Sequence, residues 1–195
     1  MPARPVKAAL IVAAAASIAL AAAQPAESVD GPAPDRRDRQ AMQDMATALR
    51  VTARYVDEAT AIKDGYERRD DCLNDPKGTG AMGYHYVKWS NWGSTDPARP
   101  TTLVYGPEKG PRGGRKLYAV EWMVSDGDQD LTTKNDRPKM FGLDFDGPMP
   151  GHWAGMPKHY DLHMWAYKKN PAGPFHNWNP SVTCPAAAAH PHAHG

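Results

Sequence analysis

The chain has 195 residues, with 23 Lys and Arg against 22 Asp and Glu and a formal net charge of +1, which leaves no basic face for nucleic acid and no polybasic patch for lipid. No GxSxG elbow, P-loop, GxGxxG opening a helix or HExxH motif occurs, so the commonest signatures of serine hydrolases, nucleotide-binding folds and zincin proteases are missing. Six Trp, eight Tyr, 17 Gly and 19 Pro favour short strands joined by tight turns.

In chain order, Arg4 and Lys7 precede an apolar run from Ala8 to Ala23 that ends in small residues. This is the pattern of a secretory signal peptide over residues 1–23, with Ala21-Ala22-Ala23 as the cleavage site. The run is too short and Ala-rich to make a stable membrane anchor, so the expected destination is the periplasm or the extracellular space. Residues 24–38 are rich in Pro, Ala and charge with little to bury, and read as a flexible lead. One domain is then expected over 39–185, followed by a disordered tail at 186–195 that carries His190, His192 and His194.

Between Arg39 and Asp64, Met42, Met45, Leu49, Thr52, Val56, Ala59 and Ile62 recur at three- and four-residue steps, which predicts one amphipathic helix. Gly65 supplies its stop and Tyr66 packs back on its end. Ala81–Trp89 predicts a strand whose one face carries Gly83, His85 and Val87. Thr101–Tyr105 predicts a second strand, and the Gly/Pro-rich stretch from Gly106 to Gly114 turns it into a hairpin with Lys116–Ser125. That third strand holds Glu121 among Leu117, Ala119 and Met123 on its own face. From Met140 to Pro157 the sequence is too interrupted for regular structure and reads as a cover that buries Phe141, Phe145, Trp153 and Met156. A last strand runs from His159 to Tyr167.

The two cysteines, Cys72 and Cys184, predict a disulfide, because an exported chain matures in an oxidising compartment. The fold class that follows is α+β, with an N-terminal amphipathic helix packed on a mostly antiparallel sheet or small barrel.

The stretch His159–Trp165, HYDLHMW, concentrates the polar chemistry. On a strand His159, Asp161 and His163 share one face. At about 3.3 Å per residue His159 and His163 stand about 13 Å apart, too far to share one ion on a straight strand. The expected centre is therefore His85, Glu121 and His163, one from each of three strands, with His159, Asp161 and His152 as further ligands or their supports. Two imidazoles and a carboxylate suit zinc, iron or copper. The expected function is binding of a transition metal or small ligand. The alternatives are a metal-assisted hydrolase or oxygenase, and a structural or interaction domain whose histidines are ordinary hydrogen-bonded core groups.

The helix end AxxxGY (Ala61–Tyr66), MGYHYV (Met82–Val87), VEW (Val120–Trp122), FDGPMPGH (Phe145–His152), HYDLHMW and NWNPxVxC (Asn177–Cys184) form a set. Together they resemble a family of small secreted bacterial proteins of uncharacterised function over roughly residues 40–185. The resemblance implies export and carries no activity. The order His85, Glu121, His163 also echoes the cupins, small metal-binding β-barrels, but only as an analogy, since those carry an HxH pair where this chain has His85 alone.

Overall fold

Asp35 starts the first helix by accepting the backbone N–H groups of Arg37 and Asp38 at 2.7 and 2.9 Å, an N-cap that satisfies two of the donors every helix start leaves bare. The computed structural model describes residues 35–69 and 72–185. The expected signal peptide, most of the expected lead and the histidine-bearing tail lie outside the described residues. Helix α1 (Arg36–Thr52) therefore begins inside the stretch expected as a lead, and it does not run on to Asp64. A 3-10 turn (Ala53–Val56) follows, Asp57 becomes extended (φ −93°, ψ 104°), and α2 (Glu58–Lys63) resumes. The break takes the Tyr55 carbonyl out of the helical ladder, where it accepts the Tyr105 hydroxyl at 2.6 Å. Gly65, at φ 89°, then closes α2. Its N–H bonds the Ile62 carbonyl and the Tyr66 N–H bonds the Ala61 carbonyl, the paired bonds of a Schellman cap.

The helical face turned inward differs from the expected one. Ala48, Thr52, Tyr55 and Ala61 are buried, whereas Met42, Leu49 and Ile62 are exposed. Small residues let the helices approach a sheet face already filled with large rings. Thr52 tolerates burial because its hydroxyl bonds the Ala48 carbonyl at 2.7 Å and the Tyr167 hydroxyl at 2.8 Å.

The described residues then give nine strands: β1 (Glu67–Arg68), β2 (Leu73–Asn74), β3 (Ala81–Val87), β4 (Thr102–Lys109), β5 (Arg115–Ser125), β6 (Lys139–Met140), β7 (Leu143–Asp144), β8 (Asp146–Met149) and β9 (His159–Met164). The main sheet runs β1-β3-β4-β5-β9-β8 with β2 also on β3, while β6 and β7 make a separate ribbon. Its pairings are antiparallel and it stays open rather than closing into a barrel, so the α+β fold holds in its sheet form. The stretch expected to be irregular supplies β6 to β8. Pro148 is tolerated in β8 because this is an edge strand, where a missing N–H costs no ladder bond.

Strand alternation divides the sheet. Toward the helices point Tyr86, Leu103, Tyr105, Val120, Trp122, Tyr160, Leu162 and Met164, one continuous core with Tyr55 and Tyr66. The opposite face carries His85, Thr102, Val104, Ala119, Glu121 and Met123, with His159, Asp161 and His163 in register beside them. Leu117 was expected on that polar face. A register shift sets Tyr105 opposite Leu117 while Val104 stays opposite Ala119, leaving Tyr118 as the extra residue, and so moves Leu117 into the helix-side core.

The Cys72–Cys184 disulfide is present, with Cα atoms 5.5 Å apart. It ties the segment before β2 to the chain end, beside the Ala81–Asn179 bridge and a second core of Ala81, Met82, Val104, Tyr118, Trp165 and Val182.

Glu58 pins α2 to the β4–β5 hairpin. Its carboxylate accepts the Arg115 backbone N–H at 2.6 Å and the Tyr86 hydroxyl, and meets the Arg115 guanidinium at 3.4 Å. Burial works to raise the Glu58 carboxyl, but the bonds from Tyr86 and Arg115 outweigh it and hold it below its ordinary value. Glu58→Ala is expected to cost about 1–3 kcal/mol in urea unfolding at pH 7, because it strands two donors. A depressed folded value means that this stabilisation is present above the unfolded value and disappears as pH falls through the folded one. The gap between wild type and variant should therefore close in acid.

Candidate metal centre

Three neighbouring pairs on β5 and β9 lay out the polar face: Glu121 opposite His163, Met123 opposite Asp161, and Ser125 opposite His159. His85 reaches Glu121 from the far side of β4, with Nε2 3.6 Å from Oε2, while His163 Nδ1 lies 3.8 Å from Oε1. Both contacts are too long to be hydrogen bonds. His85, Glu121, His159, Asp161 and His163 are all at 0% exposure.

His152 enters from the loop between β8 and β9. Its backbone N–H donates to Met156 Sδ at 3.2 Å, and Met156 is itself buried. This anchors the loop over the sheet, with the His152 ring 4.9 Å from that of His159 and 6.1 Å from that of His85. As a result His152, His159 and Asp161 each place a donor atom within 4.8 Å of the others. A small rotation of side chains closes such a set around an ion whose ligands sit about 2.0–2.2 Å away.

This group differs from the expected centre. His85 and His163 stand on strands separated by β4 and β5, which at about 4.8 Å per strand sets their backbones about 14 Å apart. Each then meets a different oxygen of Glu121. His159 instead turns to His152, a residue the sequence marked only as a further ligand or support. What could have raised it is its place in the Gly/Pro-rich cover just ahead of β9.

The electrostatics are those of an unsatisfied site. Both oxygens of Asp161, both oxygens of Glu121, His159 Nε2 and both ring nitrogens of His163 have no hydrogen-bond partner among the described residues. A buried carboxylate in that condition requires a cation or a proton. Burial and the adjacent Glu121 charge push the Asp161 carboxyl well above its ordinary value. For Glu121 burial acts in the same direction, but His163 and His85 overcome it and hold the group well below its ordinary value. Burial and the His152 imidazole push His159 down to about 4, so it is neutral at pH 7. Its Nδ1–H donates to the Pro157 carbonyl at 3.3 Å, which leaves Nε2 as the lone-pair donor.

A cavity of about 380 Å³ adjoins the cluster, walled by Leu73, Met82, Met149, His152, Asn177 and Trp178 among others. His152 thus belongs both to the donor group and to the cavity wall. Two imidazoles and a carboxylate with room for a further ligand can hold a transition metal, polarise a bound group, or take up and release a proton. No family model, curated protein or solved structure matches this chain, so what the cluster does is read from its geometry alone.

Proposed function

We propose that this chain is an exported metal-binding protein that holds a transition metal ion between His152, His159 and Asp161. The observation that carries the reading is the convergence of these three donors within 4.8 Å on a buried face, where Asp161 and His159 Nε2 have no hydrogen-bond partner among the described residues. A divalent ion neutralises Asp161 and uses the lone pair that His159 is oriented to offer. The donor set suits zinc, and also non-haem iron or copper. Export is supported by the leader pattern at residues 1–23 and by the disulfide. Among the described residues no helix is long and apolar enough to cross a membrane.

The test is calorimetric titration of the chain carrying His190→Ala, His192→Ala and His194→Ala, so that the tail contributes no site. Zinc, copper(II) and iron(II) are each added to metal-stripped protein. At least one tight equivalent is expected for one of them, with stabilisation of about 2.7 kcal/mol when free metal reaches a hundred times Kd. If no ion binds and none raises the melting temperature, the reading fails. The cavity walled by His152 favours a second reading, a metal-assisted hydrolase or oxygenase whose substrate enters there. Turnover of ester or oxygen by the loaded protein would be its evidence.

A further inference from the structure

An ion held by His152, His159 and Asp161 has to reach donors that solvent does not touch. His159 and Asp161 are at 0% exposure, whereas His152 is partly buried and, of the three, alone walls the cavity. It is also the one donor carried by a loop. Residues 151–156, between β8 and β9, close on themselves: the Met156 N–H donates to the Trp153 carbonyl and the His152 N–H to Met156 Sδ, both at 3.2 Å. Gly151 lies so close to Met156 that a Cβ there would come within 2.3 Å of its carbonyl oxygen. The segment is therefore one compact flap, and rings together with the buried Met156 side chain hold it to the sheet. Trp153 stands edge-on to Trp89, with ring centroids 6.4 Å apart, and Trp89 lies 5.0 Å from Trp92. Trp92 is fixed: its Nε1–H donates to Ser125 Oγ at 2.9 Å, the Gly93 N–H donates to the Met123 carbonyl at 3.0 Å, and its ring is 6.3 Å from that of His159. Trp89, 41% exposed, thus links a flap that carries one donor to a turn anchored beside another.

We infer that residues 151–156 are the gate of the metal site: the ion enters and leaves when Trp153 parts from Trp89, and His152 is the last donor to close on it. The gate presupposes the metal-binding reading above and adds to it the route of the ion and the contact that controls it. Trp89 is a positioning residue, acting on the ion only through the flap. An edge-on aromatic pair favours its closed arrangement by a factor of about 2–12. Opening precedes both binding and release, so loosening the pair raises both rates by one factor and leaves their ratio, the affinity, unchanged. In the rival arrangement Trp89 only shapes the closed site, and its loss speeds release without speeding association.

Zinc kinetics separate these. The full chain with the three tail histidines replaced by Ala is mixed with zinc in a stopped-flow instrument for association, and the loaded protein with excess chromogenic chelator for release. Trp89→Ala is expected to raise both rates about 2–12-fold with Kd unchanged, and Trp89→Phe to restore them toward the parent values. Trp153→Ala removes the other half of the contact and should behave as Trp89→Ala does, so the test survives if one variant fails to fold, which circular dichroism identifies. Unchanged rates in folded variants that bind zinc overturn the gate and leave the metal site in place. Faster release with unchanged association, and so a raised Kd, also overturns it. A parent that binds no zinc, copper or iron removes the metal-binding reading and the gate with it.

Discussion

Asp161→Leu is expected to abolish metal-dependent stabilisation while making the metal-free protein more stable. Leucine keeps the branch point of aspartate and puts two methyl groups where the oxygens stand, so, being the larger side chain, it occupies the place opposite Met123 without opening a void. What it removes is a fully buried carboxylate whose two oxygens have no hydrogen-bond partner among the described residues. Relief of that burden is expected to add about 1–3 kcal/mol in urea unfolding with chelator present. With zinc present the order reverses. Outer-shell changes alone weaken metal sites by about 10–100-fold, so loss of a direct ligand is expected to exceed about 100-fold.

The pH dependence has a definite sign. The folded Asp161 carboxyl is raised above its unfolded value, so the unfolded chain releases this proton first and wild-type stability falls as pH rises through that interval. The advantage of Asp161→Leu in metal-free protein should therefore grow from pH 4 to pH 7. A variant that is destabilised without metal and still binds zinc as wild type does would show Asp161 to be an ordinary core group.

Cys72→Ser with Cys184→Ser is expected to lose about 4–5 kcal/mol, because the bridge closes 112 residues of sequence and a loop of that size carries a large denatured-state entropy. Against a total stability of about 5–15 kcal/mol for a domain, such a loss is a large fraction of the whole. The bridge fastens the segment that supplies Asn177 and Trp178 to the cavity wall and Val182 to the second core. Chemical denaturation with and without reductant measures the effect. A change below about 1 kcal/mol would mean that packing of Val182 and Trp165 against Ala81 and Met82 holds the chain end by itself.

Much of this arrangement was legible in the sequence, for local reasons. Alternation along HYDLHMW puts His159, Asp161 and His163 on one face of any strand, and the face they occupy is indeed separate from Tyr160, Leu162 and Met164. Two cysteines in a chain expected to be exported allow one intramolecular pairing, and that is the bridge found. The Gly/Pro-rich turn after Tyr105 predicted the β4–β5 hairpin, and Gly65 predicted the helix end. Each of these depends on backbone geometry within a few residues, or on a count.

Other features depended on partners far along the chain. Periodicity could not show that the helix breaks at Asp57, since what rewards the break is a hydroxyl on Tyr105. It could not place Leu117 with the helix-side core, since a bulge between β4 and β5 decides that.

The choice of donors is the clearest case. By sequence His85, Glu121 and His163 were three polar residues on three strands, and His152 was a loop residue beside them. Strand order sets His85 and His163 at opposite sides of Glu121, and the β8–β9 loop folds His152 onto His159. The sequence determined which side chains share a face, because alternation is a property of the strand itself. Only the tertiary structure decided which of them meet, because that distance is set by how many strands lie between them and where a loop returns.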